Sequence, residues 1–250
     1  MTRIICFIPS ITETLIDCDL EVVGRTRFCI HPIKKIIEIP TVGGTKDVKW
    51  DKVKALSPDL IILDKEENTL EMAEACPFPF FVLHITGVDN IAVELQRLAQ
   101  HLNNKKLSDI ADRWRKLSFL TPKSIASIDK IPGVIKYLNE KQTHTITKIE
   151  YMIWKDPWMC IGPDTFIWSV LVKLGLEDYL IIRPDKYPNL GDKLPATENC
   201  FYLFSSEPFP FEKHLSELNE MDFKGAVVDG ELFSWYGTRS LLFLEKELLS

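Results

Sequence analysis

The first hundred residues alternate between short, β-branched apolar runs and amphipathic segments, and this alternation limits the possible folds more than any other feature. The apolar runs have the length and composition of buried strands. They lie at residues 3–8, 22–26, 60–63 and 80–85. The segments between them have helical spacing and lie at residues 10–17, 50–56, 68–76 and 89–102. Strands that alternate with helices predict an α/β fold with a parallel, doubly wound sheet.

The same pattern recurs in the second half of the chain. Strands are predicted at residues 149–154, 200–204 and 226–228, and helices at residues 165–174, 211–219 and 238–249. Residues 118–147 are polar and poorly periodic, which predicts an irregular excursion. We therefore predict an N-terminal α/β lobe over residues 1–103, a bridging helix over residues 104–120 and a C-terminal α/β lobe over residues 121–250.

The bridging helix has one apolar face. Trp114 has helical spacing with four further apolar residues, namely Leu107, Ile110, Ala111 and Leu117. This spacing predicts that the face is buried against both lobes.

Charge and composition exclude several classes of protein. The formal net charge is −6 and no block of Lys and Arg is present, which argues against a nucleic-acid partner. None of the 6 cysteines forms a C-x-x-C motif. No run approaches the ~18 apolar residues of a membrane span, so we expect no membrane insertion. The N-terminal residues lack the apolar core of a secretory signal and predict a cytoplasmic protein, or a periplasmic one if an export signal was removed. We expect a monomer.

Motifs for catalysis and for a resident metal or cofactor are missing from the sequence. Gly43 and Gly44 form a turn, but they lack the spacing of a nucleotide-binding loop. No nucleophile motif or paired histidine motif occurs. His31, two residues after Cys29, is the only residue that we consider as a soft-metal ligand. We expect a protein that is not an enzyme, with no metal site and no cofactor.

Aromatic residues are concentrated at predicted strand ends and loops of the second half. They are Trp154, Trp158, Trp168, Phe209, Phe211, Trp235 and Tyr236. A single ring in such a place more often fills the core. As a group, flanked by polar and turn-forming residues, they suit a large planar or macrocyclic ligand, because strand ends face the crevice of an α/β sheet.

Two further features have both a structural and a functional interpretation. Ser10 and Glu13 have the spacing of a capping box, although a helix that begins near Ser10 or Asp164 could also face an anion. Acidic residues follow equivalent strands in the two halves, at Glu66, Glu67 and Glu207. They are either solvated surface charges or a matched pair of docking charges, one per lobe.

Five runs of residues carry a family resemblance over nearly the whole chain. They are RIICFIPSITETLIDCDLEVVGRTRFCIHP, PTVGGTKDVKWDKVKALSPDLIILDKEEN, YMIWKDPWMCIGPDTFIWSVLVKLGLED, FSSEPFPFEKH and VDGELFSWYGTR. The pattern resembles the helical-backbone (class III) periplasmic binding proteins, the receptors through which ABC importers take up cobalamin, haem and iron-siderophores. The resemblance implies two Rossmann-like lobes joined by a long α-helix, with the ligand in a cleft between them.

The resemblance also implies site residues. From the first lobe, the ligand contacts would be Ser10, Thr26, Cys29 and Gly44. From the second lobe, they would be Trp154, Trp158, Phe211, Trp235, Tyr236 and Arg239. The family docks on the arginines of its permease through one exposed glutamate per lobe, for which Glu67 and Glu207 are the nearest candidates.

The function that follows is the binding of a cobalamin-like corrinoid or another metal chelate, such as haem or a siderophore, for an ABC permease. Asp64 stands near the place where a cobalamin receptor has an aromatic residue. The predicted ligands therefore include corrinoids other than cobalamin. The alternatives are a cytosolic cofactor-handling or chelatase-like protein on the same scaffold, and an interaction module without a ligand.

Overall fold

The computed structural model describes residues 1–122, 131–138, 146–194, 199–221 and 223–249. The chain forms two compact units. The first unit comprises Met1–Phe119 and Trp235–Leu242, and the second comprises Leu120–Ser234 and Phe243–Ser250. The segment Trp235–Leu242 therefore packs with the N-terminal residues, although its position in the chain assigned it to the predicted C-terminal lobe.

The first unit contains a sheet of four parallel strands in the order β2-β1-β3-β4. The strands are β1 (Ile4–Cys6), β2 (Val22–Arg25), β3 (Leu60–Asp64) and β4 (Phe80–Leu83). The helices are α1 (Pro9–Asp17), α2 (Ile33–Ile36), α3 (Trp50–Leu56), α4 (Leu70–Glu74), α5 (Ile91–Leu102) and α6 (Lys105–Ser118). This arrangement confirms the predicted parallel sheet and adds α2, which is too short to give a periodic signal.

The central strands of this sheet are buried on both faces, as expected when helices cover a parallel sheet on both sides. Every residue of β1 and β3 is buried. Ile5 lies opposite Ile61 in the register, and both side chains join one apolar cluster with Phe7 and Leu63. The same burial explains why these two strands are continuous apolar runs in the sequence.

Helix α1 starts differently from the capping-box prediction. It begins at Pro9, and its N-cap residue Ile8 makes no side-chain capping bond. Proline suits the first helical position because its fixed φ is already helical and its missing N–H would have no partner there. Ser10 therefore lies inside the helix, and Glu13 is engaged elsewhere. The predicted capping box is wrong.

Helix α6 has the buried face that its spacing predicts. The Asn104 side chain caps this helix, because its Oδ1 accepts the Leu107 N–H at 2.9 Å. All five apolar residues of the predicted face are buried, and Trp114 is fully buried. The helix belongs to the first unit.

The second unit contains a six-stranded mixed sheet in the order β5-β10-β9-β6-β7-β8. Its strands are β5 (Val134–Leu138), β6 (Lys148–Trp154), β7 (Trp158–Cys160), β8 (Asn189–Gly191), β9 (Cys200–Ser205) and β10 (Lys224–Val228). Its helices are α7 (Phe166–Lys173), α8 (Leu215–Glu220), α9 (Gly230–Ser234) and most of α10 (Thr238–Leu249). Strands β10, β9 and β6 are parallel, whereas β5, β7 and β8 pair antiparallel.

The antiparallel strands account for the differences from the sequence prediction. Strand β5 lies within the segment 118–147 that was predicted to be irregular, and the rest of that segment falls partly on residues 123–130 and 139–145, outside the described residues. As an edge strand with mostly exposed side chains, β5 has no alternating pattern. Strands β7 and β8 have three residues each, too few for a periodic signal.

Two findings concern the whole described part of the chain. Among the described residues, no helix combines the length and the apolar character that a membrane crossing requires. All 6 cysteines are free thiols.

Candidate functional site

The carboxyl ends of the parallel strands in the first unit meet at one edge of its sheet. Ligands of open α/β sheets bind outside these ends, because the loops there diverge and leave a crevice. We call this edge the first rim. It comprises Ser10, residues 26–31 and residues 64–67 after β1, β2 and β3, together with residues 235–239.

The polar side chains nearest the sheet in the first rim are bonded to one another. The Cys29 thiol donates to Thr12 Oγ1 at 3.3 Å and lies 3.2 Å from Thr26 Oγ1. All three residues are fully buried, and burial raises the pKa of the Cys29 thiol. Ser10 is also buried, and its carbonyl oxygen accepts the Thr14 hydroxyl at 3.0 Å. The resemblance implied Ser10, Thr26 and Cys29 as ligand contacts, and that role stays a prediction.

Gly44 is required by the turn itself. A Cβ at this position would lie 2.3 Å from Asp47 Oδ1 and 3.0 Å from Arg27 Nη2. Arg27 and Asp47 form an ion pair of 3.2 Å across the turn. The close approach that the glycine permits is therefore to the chain's own side chains, and contact with a ligand stays a prediction.

An aromatic and charged group surrounds the buried Trp235 in the first rim. The His31 ring meets the Trp235 ring edge to face, with centroids 5.2 Å apart. The guanidinium of Arg239 lies 5.4 Å from the centroid of the same indole ring. Arg239 also binds the Glu13 carboxylate through two hydrogen bonds of 3.0 and 2.7 Å. Trp235 is thus held between an imidazole and a guanidinium whose charge Glu13 balances.

Tyr236 and Asp64 are two buried titratable groups of the same rim. Burial raises the pKa of Tyr236 well above its ordinary value, and the negative charges of Asp64 and Glu67 add to the effect. Asp64 is itself buried, and its carboxylate accepts the N–H groups of Glu66 at 2.8 Å and Ile85 at 3.2 Å. Burial raises the pKa of Asp64, whereas these hydrogen bonds lower it. The phenol of Tyr236 is therefore kept protonated.

The second rim is the corresponding edge of the second unit, at the carboxyl ends of β6, β9 and β10. Four aromatic rings form a continuous series there. Trp154 meets Phe209 at 5.6 Å, Phe209 meets Phe211 at 4.6 Å, and Phe211 stacks on Trp158 at 5.9 Å and 6°. Trp158 and Phe211 belong to the apolar core of this unit. Trp154 is 40% exposed, so it is the member of this series with the largest open surface.

The exposure of each ring separates the predicted aromatic ligand contacts of the second unit into core residues and surface residues. Trp158 and Phe211 pack as core residues, the interpretation that holds for most single rings. Their contact with a ligand stays a prediction. Phe209 was not chosen as a site residue, although its position between Pro208 and Pro210 in a loop was a usable signal.

Glu207, one of the two predicted docking residues, is fixed by its neighbours. Its carboxylate accepts a short hydrogen bond from the Ser234 hydroxyl. Its N–H lies 3.5 Å from Ser205 Oγ, which also accepts the buried Tyr151 hydroxyl at 3.2 Å. Glu207 and Glu67 are both half-buried, less exposed than the resemblance implied. Docking on a permease stays a prediction for both.

A cavity of about 540 Å³ opens beside α4 in the first unit and shares Asp64 and Lys65 with the first rim. Its walls include Leu63, Leu70, Ala73, Phe80 and Val82. Asn68 and Thr69 also line it, but their side chains are used by the fold. Asn68 Nδ2 donates to the carbonyl oxygens of Phe7 and Thr45, and Thr69 caps α4.

No cluster of three or more His, Cys, Asp or Glu residues suited to a metal ion occurs within the described ranges. His31 and Cys29, which the sequence suggested as a possible soft-metal pair, contact different groups. His31 packs on Trp235, whereas the Cys29 thiol bonds to Thr12 and Thr26. The expected absence of a metal site and of a cofactor stays a prediction.

Comparison with known proteins identifies similar folds. No family model matches the sequence, and no curated protein matches it. Solved structures match over almost the full length. The periplasmic vitamin B12 binding protein BtuF of Vibrio cholerae is 16% identical, with a TM-score of 0.65 over 99% of this chain and 95% of its own. The periplasmic heme-binding protein RhuT of Roseiflexus sp. RS-1 is 15% identical, with a TM-score of 0.68 over 99% and 97%. The siderophore binding protein FhuD of Vibrio cholerae is 15% identical, with a TM-score of 0.60 over 100% and 98%.

These matches correct one prediction and confirm another. The cytoplasmic location predicted from the N-terminal residues is wrong, because the similar proteins BtuF and RhuT are periplasmic and therefore exported. The α/β fold predicted from the alternating strand and helix patterns is confirmed, and so is the resemblance as a likeness of fold. The similar structures are binding proteins for vitamin B12, heme and siderophores, and this chain has their fold.

Proposed function

We propose that this protein binds a metal-chelate ligand of the corrinoid, haem or siderophore type as the substrate-binding component of an ABC importer. Support comes from solved binding proteins for vitamin B12, heme and a siderophore, which share the fold over 99–100% of this chain. The proposal includes that the protein is not an enzyme.

The observation that carries the proposal is the aromatic group at each rim, of which Trp154 is 40% exposed and Trp235 is buried, with 7% of its surface exposed. The first rim holds Trp235 between His31 and Arg239, and the second holds Trp154 against Phe209. Ring faces at strand ends suit a large, flat chelate, because burying apolar area stabilises a complex by about 25 cal/mol per Å². Arg239, whose side chain is 24% exposed, would then orient the ligand.

The partner in this proposal is the membrane permease of the importer. Glu67 and Glu207 are the proposed docking residues, one in each unit. Glu207 is already oriented by Ser234, which lowers the entropy lost on forming an ion pair. Reversing both charges should weaken complex formation with the permease and leave ligand binding intact, because rim charges act mainly on association. Unchanged complex formation at low salt would contradict this docking role.

A fluorescence titration tests the ligand. Cyanocobalamin, cobinamide, haemin and ferrioxamine are each added to the protein, and tryptophan quenching is followed. We expect one of them to bind, and Trp154→Ala to weaken that binding at least about tenfold, or 1.4 kcal/mol.

Trp168→Ala is the matched control. Trp168 is half-buried in the first turn of α7 and takes no part in the series of four rings at the second rim. Its substitution should change the affinity less than about twofold. Absence of binding below ~100 μM for every compound, corresponding to about 5.5 kcal/mol, would overturn the proposed function.

A further inference from the structure

Strand β4 is an end strand of the sheet in the first unit. Within the part of the chain that the structure describes, it pairs with β3 alone. The register places Phe80 opposite Ile61, and the Ile61 N–H donates to the Pro79 carbonyl oxygen at 2.9 Å. In a parallel ladder of this register, Pro79 and Phe81 direct their backbone groups toward β3. Since successive residues of a strand point these groups to opposite sides, the N–H and C=O groups of Phe80 and Val82 point away from β3.

The open part of this edge ends where β4 ends. The His84 N–H donates to the Glu94 carboxylate at 3.0 Å, and the His84 carbonyl oxygen accepts Asn90 Nδ2 at 2.7 Å. Both backbone groups of His84 are therefore used within the unit. Among the four residues of β4, Phe80 and Val82 supply the donors and acceptors with which a further strand can pair.

Two other edge strands are protected in ways that β4 lacks. At the opposite edge of the same sheet, Arg25 of β2 forms a parallel bridge with Thr41, so the chain itself covers β2. The edge strand β5 of the second unit carries the exposed Lys136. Charged residues and covering segments are common means by which edge strands avoid pairing. Strand β4 has the sequence FFVL, which contains no charged residue.

An apolar cavity adjoins the open edge. Phe80 and Val82 line the cavity of about 540 Å³ together with Leu70 of α4. As alternate residues of one strand, Phe80 and Val82 present their side chains on the same face of the sheet. Phe80 is 44% exposed, and Leu70 is more exposed still. Exposed apolar side chains around such a cavity mark an interaction surface, and the adjacent backbone groups suit an occupant in extended conformation.

We propose that the occupant is β4 of a second copy of this chain, paired antiparallel about a two-fold axis at Phe81, so that the protein forms a dimer with one continuous sheet. A two-fold interface must be self-complementary, and β4 carries both the open edge and the apolar residues beside it. Phe80 of each copy then lies opposite Val82 of the other, and each such pair exchanges both of its N–H···O bonds. The Phe80 ring is thereby buried against the cavity wall of the second copy. This dimer goes beyond the proposed ligand binding and differs from the monomer expected from the sequence.

The opposite face of the sheet is compatible with this axis. There Phe81 meets its own copy as a non-hydrogen-bonded pair, in which the side chains come closest and aromatic pairs are favourable. The Arg97 guanidinium lies 5.2 Å from the Phe81 ring centroid, and Glu94 pairs with Arg97 at 2.8 Å. The charge of the cation that packs on Phe81 is therefore balanced within each copy.

Sedimentation velocity from about 1 to 200 μM measures the association, and we expect the dimer to form within this range. Phe80→Lys places an ammonium group at the edge, and Val82→Pro removes an outward N–H without removing a bond to β3. Each should raise the dissociation constant at least about tenfold. Ile135→Lys is the matched control, because Ile135 is 51% exposed on the edge strand β5. It should change the constant less than about twofold.

Cross-linking tests the register. The Cα atoms of a non-hydrogen-bonded pair are about 4.5 Å apart, which is within reach of a disulfide. Phe81→Cys should therefore give a covalent dimer on mild oxidation. Phe80→Cys is the control, since Phe80 lies opposite Val82, and the Cα atoms of the two Phe80 positions are then farther apart than the roughly 7 Å limit. The wild type measures the background from the native thiols.

Each contrary result overturns the proposal. A chain that stays single up to the highest concentration does so, and if that chain binds the uncharged dye N-phenyl-1-naphthylamine until Leu70→Lys is introduced, the cavity takes a small apolar molecule instead. A dimer that Phe80→Lys and Val82→Pro leave unchanged also overturns it, because another surface then joins the copies. Equal cross-linking of Phe80→Cys and Phe81→Cys excludes the two-fold pairing. The ligand titrations are independent of these results, so the two proposals fail separately.

Discussion

The indole Nε1–H of Trp114 donates a hydrogen bond to the carbonyl oxygen of Gly237 at 2.9 Å, across 123 residues of the chain. A second long-range hydrogen bond lies beside it, in which the Thr238 N–H donates to Thr14 Oγ1 at 3.0 Å. Both bonds hold the segment that precedes and begins α10 against α6 and α1. They explain why Trp235–Leu242 packs in the first unit, far from its neighbours in sequence.

Replacing Trp114 should therefore destabilise the first unit strongly. Trp114→Ala removes a fully buried indole and should lower the free energy of unfolding by about 3–5 kcal/mol. Trp114→Phe keeps much of the packing but leaves the Gly237 carbonyl without its donor, which costs about 1–3 kcal/mol. Urea denaturation at pH 7.5 measures both. A loss below ~1 kcal/mol for Trp114→Ala would show that the indole is not a core residue.

The two tryptophans of the second rim should respond differently to the same substitution. Trp158 is 3% exposed and stacks on Phe211, so Trp158→Ala should cost about 3–5 kcal/mol. Trp154 is 40% exposed, and Trp154→Ala should cost less than about 1.5 kcal/mol. Thermal unfolding of the two variants under the same conditions tests this difference, and Trp158→Ala should have the lower midpoint. Equal midpoints would contradict the division of these rings into core and surface.

The sequence predicted the elements correctly where burial requires apolar residues at a regular spacing. The parallel strands of the first unit and the apolar face of α6 were predicted because buried positions there must be apolar at regular spacing. Strand β5 was missed because an exposed edge strand carries no such requirement. The start of α1 was misjudged because Ser10 and Glu13 fit a capping box, whereas Pro9 fixes the actual first turn.

The candidate site was only partly predictable for a different reason. Loop positions at strand ends can be recognised in the sequence, and Trp235 and Tyr236 were predicted as site residues in that way, whereas Arg239 of α10 was implied by the resemblance alone. Their partners cannot be found, since the contact between Arg239 and Glu13 joins residues 226 positions apart. The same limit applies to Trp158, whose core position depends on stacking with Phe211 and not on any local pattern.

Buried thiols should make the protein sensitive to alkaline conditions. Burial is the main cause that raises the pKa of Cys6 from 9.0 to about 12. The folded thiol stays protonated in this range while the unfolded one ionises, so its contribution is complete below pH 9 and is lost as the pH rises toward 12. Each pH unit in that window should cost about 1.4 kcal/mol per such thiol.

Cys6→Ala tests this effect. The free energy of unfolding is measured in urea at pH 8 and pH 10 for both proteins. The variant should lose about 1.4 kcal/mol less than the wild type between the two values. Cys18 and Cys200, whose pKa values are also raised to about 12, keep a residual slope in the variant. Identical slopes would show that the Cys6 thiol is accessible to hydroxide in the folded protein.

Gly237 should be more sensitive to alanine than another glycine with a similar backbone. Gly237 has a φ of 111°, and a Cβ there would lie 2.2 Å from Thr14 Oγ1, the atom that accepts the Thr238 N–H. Gly191 has a φ of 88°, but nothing lies within 4 Å of its Cβ position. Both substitutions incur the strain of a positive φ, roughly 1–3 kcal/mol. Only Gly237→Ala must also displace Thr14, so its loss of unfolding free energy should exceed that of Gly191→Ala by about 1–3 kcal/mol. Denaturation in urea gives the difference directly. Equal losses would mean that the segment from Trp235 to Leu242 is not held against α1 in solution.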